Sequence, residues 1–185
     1  DAAFYTSFDF VEPTGKRWML ALDVSGSMVS GRLAGLPALT PRDGTAAMAM
    51  VTARTEAAYR TFAFADRFVP LDIGPTLPLD EVVRRTSGLP FGGTDCALPM
   101  VVARKQRIPI DVFVVYTDSE TWFGKVHPVQ ALAAYRQAMG IPAKLVVVGM
   151  VANRFTIADP EDAGMLDVVG FDTAAPALIG AFARG

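Results

Sequence analysis

Apolar runs of strand length recur along the chain, with helix-like segments between them. Arg17 to Asp23 is the first expected strand. Gly44 to Arg60 is rich in Ala and Met, holds no internal Pro or Gly, and reads as a helix. Thr61 to Ala65 and Phe68 to Ile73 read as two short strands joined at Asp66-Arg67, a hairpin. Leu79 to Thr86 is a short helix, started after Pro78 and stopped by Gly88, and Asp95 to Gln106 is another. Ile110 to Tyr116 is a nearly unbroken β-branched and aromatic run, the mark of a central strand covered on both faces. Pro128 to Met139 forms a helix closed by Gly140, Ala143 to Met150 a second buried strand, Asp167 to Phe171 a short one, and Ala174 to Ala183 the last helix. The Gly- and Pro-punctuated stretch between Ser27 and Gly44 reads as a surface loop.

Strands alternating with helices predict a largely parallel sheet with helices on both faces. In such sheets ligands sit beyond the carboxyl ends of the strands. Asp23 and Asp118 both fall at such ends, which argues for one shared site. In Asp23-Val24-Ser25-Gly26-Ser27 a carboxylate and two hydroxyls stand at alternate positions, where an apolar strand gives way to a turn. These are hard oxygen donors, suited to a small divalent cation such as Mg²⁺. Taken alone, the segment reads equally well as a strand-to-helix turn in which Asp or Ser caps the next helix. Gly92-Gly93-Thr94-Asp95 adds a third hydroxyl before a helix, with an N-cap as the competing reading. Tyr116-Thr117-Asp118-Ser119-Glu120 follows the strongest strand. Glu120 and Trp122 line the ligand face, or else are a solvated acid and a partly packed indole; the sequence leaves both open.

Composition narrows the function classes. A chain of 185 residues, 51% hydrophobic, can bury one sizeable core. Its formal net charge of −2 shows no strongly basic nucleic-acid surface in the totals. The single cysteine, Cys96, excludes an internal disulfide and fits a reducing compartment. No segment approaches the roughly 18 apolar residues needed to cross a bilayer. The start, Asp1-Ala2-Ala3-Phe4-Tyr5, has no initiator Met, basic region or apolar leader, and reads as cut from something larger.

Catalytic motifs are sparse. There is no Gly-x-Ser-x-Gly elbow and no Gly-x-x-x-x-Gly-Lys phosphate loop. A strand-end Asp nucleophile of the phosphatase kind needs a second carboxylate two positions on, where Ser25 stands. His127, the only histidine, is expected at a loop-to-helix entry and Cys96 as a packing residue. One Cys and one His make zinc a poor fit. Met48, Met50, Met100, Met139 and Met150 read as core filling, and Arg104, Lys105 and Arg107 as complements to a helix C-terminus.

The three oxygen-bearing pieces, in this order and strand context, resemble the metal-ion-dependent adhesion site of von Willebrand factor A domains. That resemblance implies a Rossmann-like domain whose mostly parallel central sheet has one antiparallel edge strand. It implies Ser25, Ser27 and Thr94 as direct or near-direct ligands, with Asp23 and Asp118 acting largely through water. The ion would be Mg²⁺, or Mn²⁺ or Ca²⁺, and the partner a protein offering an Asp or Glu carboxylate.

Asp1 to Tyr5, Val11-Glu12-Pro13-Thr14-Gly15-Lys16-Arg17, Ala21 to Met28 and Thr117 to Trp122 narrow this further, because they look like the Ro autoantigen family along nearly the whole chain. Family members join a ring of helical repeats to this A domain, and the ring binds Y RNAs and the ends of misfolded non-coding RNAs. The resemblance makes 1–15 a lead-in from that ring and 16–185 the A domain. It implies a cytoplasmic, non-enzymatic, metal-dependent interaction domain within non-coding RNA quality control. A metal-assisted phosphoesterase and an auxiliary RNA-facing domain are the alternatives.

Overall fold

The computed structural model describes residues 11–33, 38–89, 92–118, 124–151 and 157–185. Among these residues six strands form one sheet: β1 (Trp18–Asp23), β2 (Tyr59–Phe64), β3 (Phe68–Leu71), β4 (Val112–Thr117), β5 (Lys144–Gly149) and β6 (Met165–Val169). Their spatial order is β3-β2-β1-β4-β5-β6, parallel throughout except for β3, which runs antiparallel to β2 at one edge. Pro70 is tolerated there because an edge strand needs partners on one side only. The register sets Trp18 beside both Tyr59 and Val112, and Val112 beside Lys144.

Among the described residues five α-helices cover the sheet: α1 (Pro41–Thr55), α2 (Leu79–Ser87), α3 (Leu98–Lys105), α4 (Pro128–Met139) and α5 (Ala175–Arg184). Every residue of β1 and β4 is buried, as expected of central parallel strands. Alternate side chains divide between two cores. Leu20, Leu22, Val114, Tyr116 and Val148 pack toward Met48, Val82 and Ile179 of α1, α2 and α5. Met19, Ala21, Phe113, Val115 and Val147 pack toward Met100, Leu132 and Tyr135 of α3 and α4. The methionines fill core as expected, with Met139 half-buried at its margin.

Several element boundaries differ from expectation, among them β3, which ends at Leu71 rather than Ile73, and β4, which begins at Val112 rather than Ile110; three more have identifiable contacts behind them. The helix read as Gly44 to Arg60 is displaced to Pro41–Thr55. At its start, Thr40 accepts from the Asp43 N–H at 3.2 Å and Asp43 Oδ2 accepts from the Thr40 N–H at 2.8 Å, a reciprocal cap with Pro41 at the first helical position. At its end, the Glu56 carboxylate accepts the N–H groups of Thr14 at 2.8 Å and Gly15 at 3.2 Å, and Tyr59 already pairs beside Trp18. The helix read as Asp95 to Gln106 begins at Leu98, after a turn in which Asp95 Oδ1 accepts the Ala97 N–H at 3.0 Å and the Asp95 N–H is bound across to the Ala65 carbonyl at 3.0 Å. The last strand, expected at Asp167 to Phe171, lies at Met165–Val169, bracketed by Leu145 N–H to Gly164 O at 2.9 Å and Gly170 N–H to Gly149 O at 2.7 Å.

The stretch between Ser27 and Gly44 is not simply a surface loop. It opens with a 3₁₀ turn, Gly26–Val29, and sends Met28 and Leu33 into the core. A side chain at Gly44 would meet Met150 Cε at 2.5 Å and Leu33 Cδ1 at 2.7 Å, so glycine is what lets this loop pack onto α1. Among the described residues, no helix is long and apolar enough to cross a membrane.

Candidate metal centre

The register of the two central strands builds the site. Leu22 of β1 lies beside Tyr116 of β4, so one step further Asp23 meets Thr117. The Thr117 hydroxyl donates to Asp23 Oδ2 at 2.6 Å, and the Ser25 N–H donates to Asp23 Oδ1 at 2.8 Å. Asp23 is only 1% exposed. Burial pushes its carboxyl above the usual range and the negative charge of Asp118 adds to that, while the bonds from Thr117 and Ser25 pull it back.

Beyond Asp23 the chain turns through the 3₁₀ segment and presents its hydroxyls. Ser25 Oγ and Ser27 Oγ lie 3.1 Å apart, and the Ser27 hydroxyl donates to Asp118 Oδ1 at 3.1 Å. Two hydroxyls and a carboxylate oxygen therefore converge beside a buried second carboxylate. Asp118 is also pushed up, chiefly by burial, with Ser27 opposing. A buried and a half-buried acid side by side are stabilised by a positive charge, and the donors on hand are all oxygen. The residues fit a hard divalent cation.

Thr94 arrives from the neighbouring side. The Asp95 N–H bond to Ala65 holds its turn against the end of β2, next to Val24, whose N–H bonds the Phe64 carbonyl at 3.0 Å. Thr94 is buried there. Glu120 and Trp122, the expected ligand-face residues, lie outside the described residues.

Two contributors were not assigned from sequence. Thr117 was visible only as the residue before Asp118; its role follows from strand register. Arg42, in the first turn of α1, is 5% exposed and donates from Nη2 to the Val24 carbonyl at 3.2 Å. Burial pushes its guanidinium down, and the charges of Asp23 and Asp43 hold the proton on. A cation in the first turn of a helix opposes the helix dipole, and that was the available signal.

The residues considered for nucleophilic or acid–base work take structural places. Cys96 is fully buried, and burial pushes its thiol far up, with Asp23 and Asp95 adding to the effect. His127 caps α4, its Nδ1 accepting the Val129 N–H at 3.3 Å. Arg104 and Lys105 occupy the last turn of α3, and Arg107 Nη1 donates to the Ala138 carbonyl at 3.2 Å. Among the described residues no group of three or more His, Cys, Asp or Glu side chains is placed to hold a metal ion, so the donors here are two carboxylates with hydroxyls.

Comparison with known proteins gives the family and the fold. The RNA-binding protein RO60 of Deinococcus radiodurans is 51% identical over 185 residues, covering 100% of this chain and 35% of that protein. The RNA-binding protein RO60 of Caenorhabditis elegans is 44% identical over 186 residues, covering 100% of this chain and 29% of that protein. The chain thus spans about a third of the length of these relatives. The crystal structure of the Deinococcus radiodurans RO (RSR) protein superposes with a TM-score of 0.89 at 52% identity, over 96% of this chain and 36% of that one. Proximal thread matrix protein 1 from the mussel byssus shares the fold alone, with a TM-score of 0.64 at 11% identity over 93% of this chain and 48% of that one. The model of the Ro60 vWA domain matches residues 17–183, and the chain belongs to that family.

Proposed function

We propose that this chain is a metal-dependent protein-interaction domain, not an enzyme, within a longer Ro-type RNA-binding protein. The observation that carries this reading is the run of oxygens from Ser25 Oγ through Ser27 Oγ to Asp118 Oδ1, each step 3.1 Å, beside the buried Asp23. Ser25, Ser27 and Thr94 would hold a Mg²⁺, or Mn²⁺ or Ca²⁺, with Asp23 and Asp118 supplying negative charge around it. When bound, the ion offers a positive centre to a carboxylate from a protein partner. The chain's own residues shape that centre: Thr117 and the Ser25 N–H orient Asp23, and Ser27 orients Asp118. The structural employment of His127 and Cys96 supports the non-enzymatic reading.

That relatives covering this chain are RNA-binding proteins supports RNA as a partner of the longer protein. Y RNAs and misfolded non-coding RNAs, gripped by helical repeats outside this chain, fit a role in RNA quality control in the cytoplasm. The domain itself, at net charge −2, is expected to bind RNA weakly, because affinity rests on phosphate neutralisation.

Thermal melts with and without Mg²⁺ test the site. A ligand that binds only the folded state stabilises it by RT ln(1 + [L]/Kd), about 2.7 kcal/mol at 100-fold excess over Kd. Melting should rise with Mg²⁺, and Asp23→Ala should abolish the response while the domain still folds. Pull-downs with and without EDTA, the eluate examined for protein and RNA, test the partner. Capture that survives both EDTA and Asp118→Ala would show that contact lies elsewhere.

A further inference from the structure

A guanidinium buried in the first turn of a helix is in an adverse place. The amino end of a helix is its positive end, and burial removes the water that would solvate the charge. Arg42 occupies such a position in α1, 5% exposed. Among the described residues, two carboxylates bear on its charge. Asp43 is occupied with the cap, its Oδ2 accepting from the Thr40 N–H at 2.8 Å and the Thr40 hydroxyl at 2.7 Å. The other is Asp23, 1% exposed and itself in need of positive charge. Between them stands Val24, whose carbonyl takes the Arg42 Nη2 proton at 3.2 Å. Val24 is the link from Asp23 to Ser25, so the bond fixes the corner from which the hydroxyls project.

We propose that Arg42 is a positioning residue of the oxygen cluster, clamping the Val24 corner and supplying a resident positive charge that a divalent cation must work against. The metal part of this statement rests on the function proposed above; the pairing with Asp23 does not. Against the two ligand carboxylates, a dication together with Arg42 leaves a net charge of about +1, which favours an anionic partner over metal alone.

The test compares Arg42→Gln with Arg42→Lys, using Mg²⁺ alone as the probe in isothermal titration and in melting. Both variants lose the guanidinium geometry, and only the lysine keeps the charge. Mg²⁺ should bind the glutamine variant roughly threefold or more tightly than the lysine variant. Equal affinities, or tighter binding by the lysine variant, overturn the charge role. A double-mutant cycle of Arg42→Gln with Asp23→Asn, read by denaturation in EDTA, tests the pairing without metal. The glutamine change should lower the melting temperature more in the wild-type background than in the Asp23→Asn background; additive effects overturn the pairing. If no variant binds Mg²⁺, the metal reading fails, and the cycle still decides whether Arg42 and Asp23 are coupled.

Discussion

Asp23 and Thr117 meet across the two central strands, the threonine hydroxyl donating to Asp23 Oδ2 at 2.6 Å in a fully buried setting. Thr117→Val keeps the shape and removes the donor. An ionised buried oxygen that loses a hydrogen bond costs about 1–3 kcal/mol. The variant should be destabilised by that order at pH 7 in EDTA. The deficit should shrink in acid, as Asp23 is protonated, because the lost bond favours the charged carboxyl. Denaturant titrations at several pH values measure both effects; a deficit constant with pH would mean that Asp23 is already neutral at pH 7.

Acid stability should divide the carboxylates by sign. Asp162 is held below the usual range by its hydrogen bond with Arg136, at 2.5 Å, and Asp111 by Arg17, at 2.6 Å. A carboxyl whose folded value is depressed contributes stability that is present above its unfolded value, near 3.9, and is lost as pH falls through the folded value. Asp23 and Asp118 are raised and act oppositely: their contribution is largest below the unfolded value and declines as pH rises through the folded one. Asp162→Asn should therefore flatten the acid limb of the stability–pH curve below about pH 4. An unaltered acid limb would show that this pair, partly exposed, is screened by solvent.

Tyr135 secures the opposite end of the sheet. Its hydroxyl accepts the Ile110 N–H at 2.7 Å and donates toward the Ile108 carbonyl at 2.9 Å, while its ring meets Phe113 edge-on at 4.9 Å. Tyr135→Phe keeps the ring contact and orphans a buried N–H, costing about 1–3 kcal/mol. The Mg²⁺-induced rise in melting should be unchanged, since the oxygen cluster lies at the far strand ends. A lost metal response would mean that the two ends of the sheet are coupled.

These contacts mark how much the sequence could disclose. Apolar runs disclose the six described strands, and Asp23-Val24-Ser25-Gly26-Ser27 discloses its half of the oxygen cluster, because those signals are local; that Asp118 joins them followed from both acids ending apolar strands and from the family resemblance. Helix ends were less legible. Glu56 closes α1 by binding the N–H groups of Thr14 and Gly15, 42 and 41 residues back along the chain. No Pro or Gly follows the helix to announce that stop. Arg42 was hidden for the same reason: its partner carbonyl lies 18 positions away, and only its unfavourable place on the helix was readable.

Cys96 supplies a last measurement. It sits beneath the Thr94 turn, 0% exposed, its thiol pushed up by burial with Asp23 and Asp95 adding to it. The thiolate is the reactive form, so native Cys96 should resist alkylation until the domain opens. With stabilities of about 5–15 kcal/mol typical of such domains, labelling should be at least about 10³-fold slower than in denaturant. Because the turn adjoins the oxygen cluster, Mg²⁺ should slow labelling further, and Asp23→Ala should remove that added protection. Labelling of the native protein at nearly the denatured rate would mean that the Thr94 turn opens separately from the core, and Mg²⁺ would then protect Cys96 only if it closes that turn.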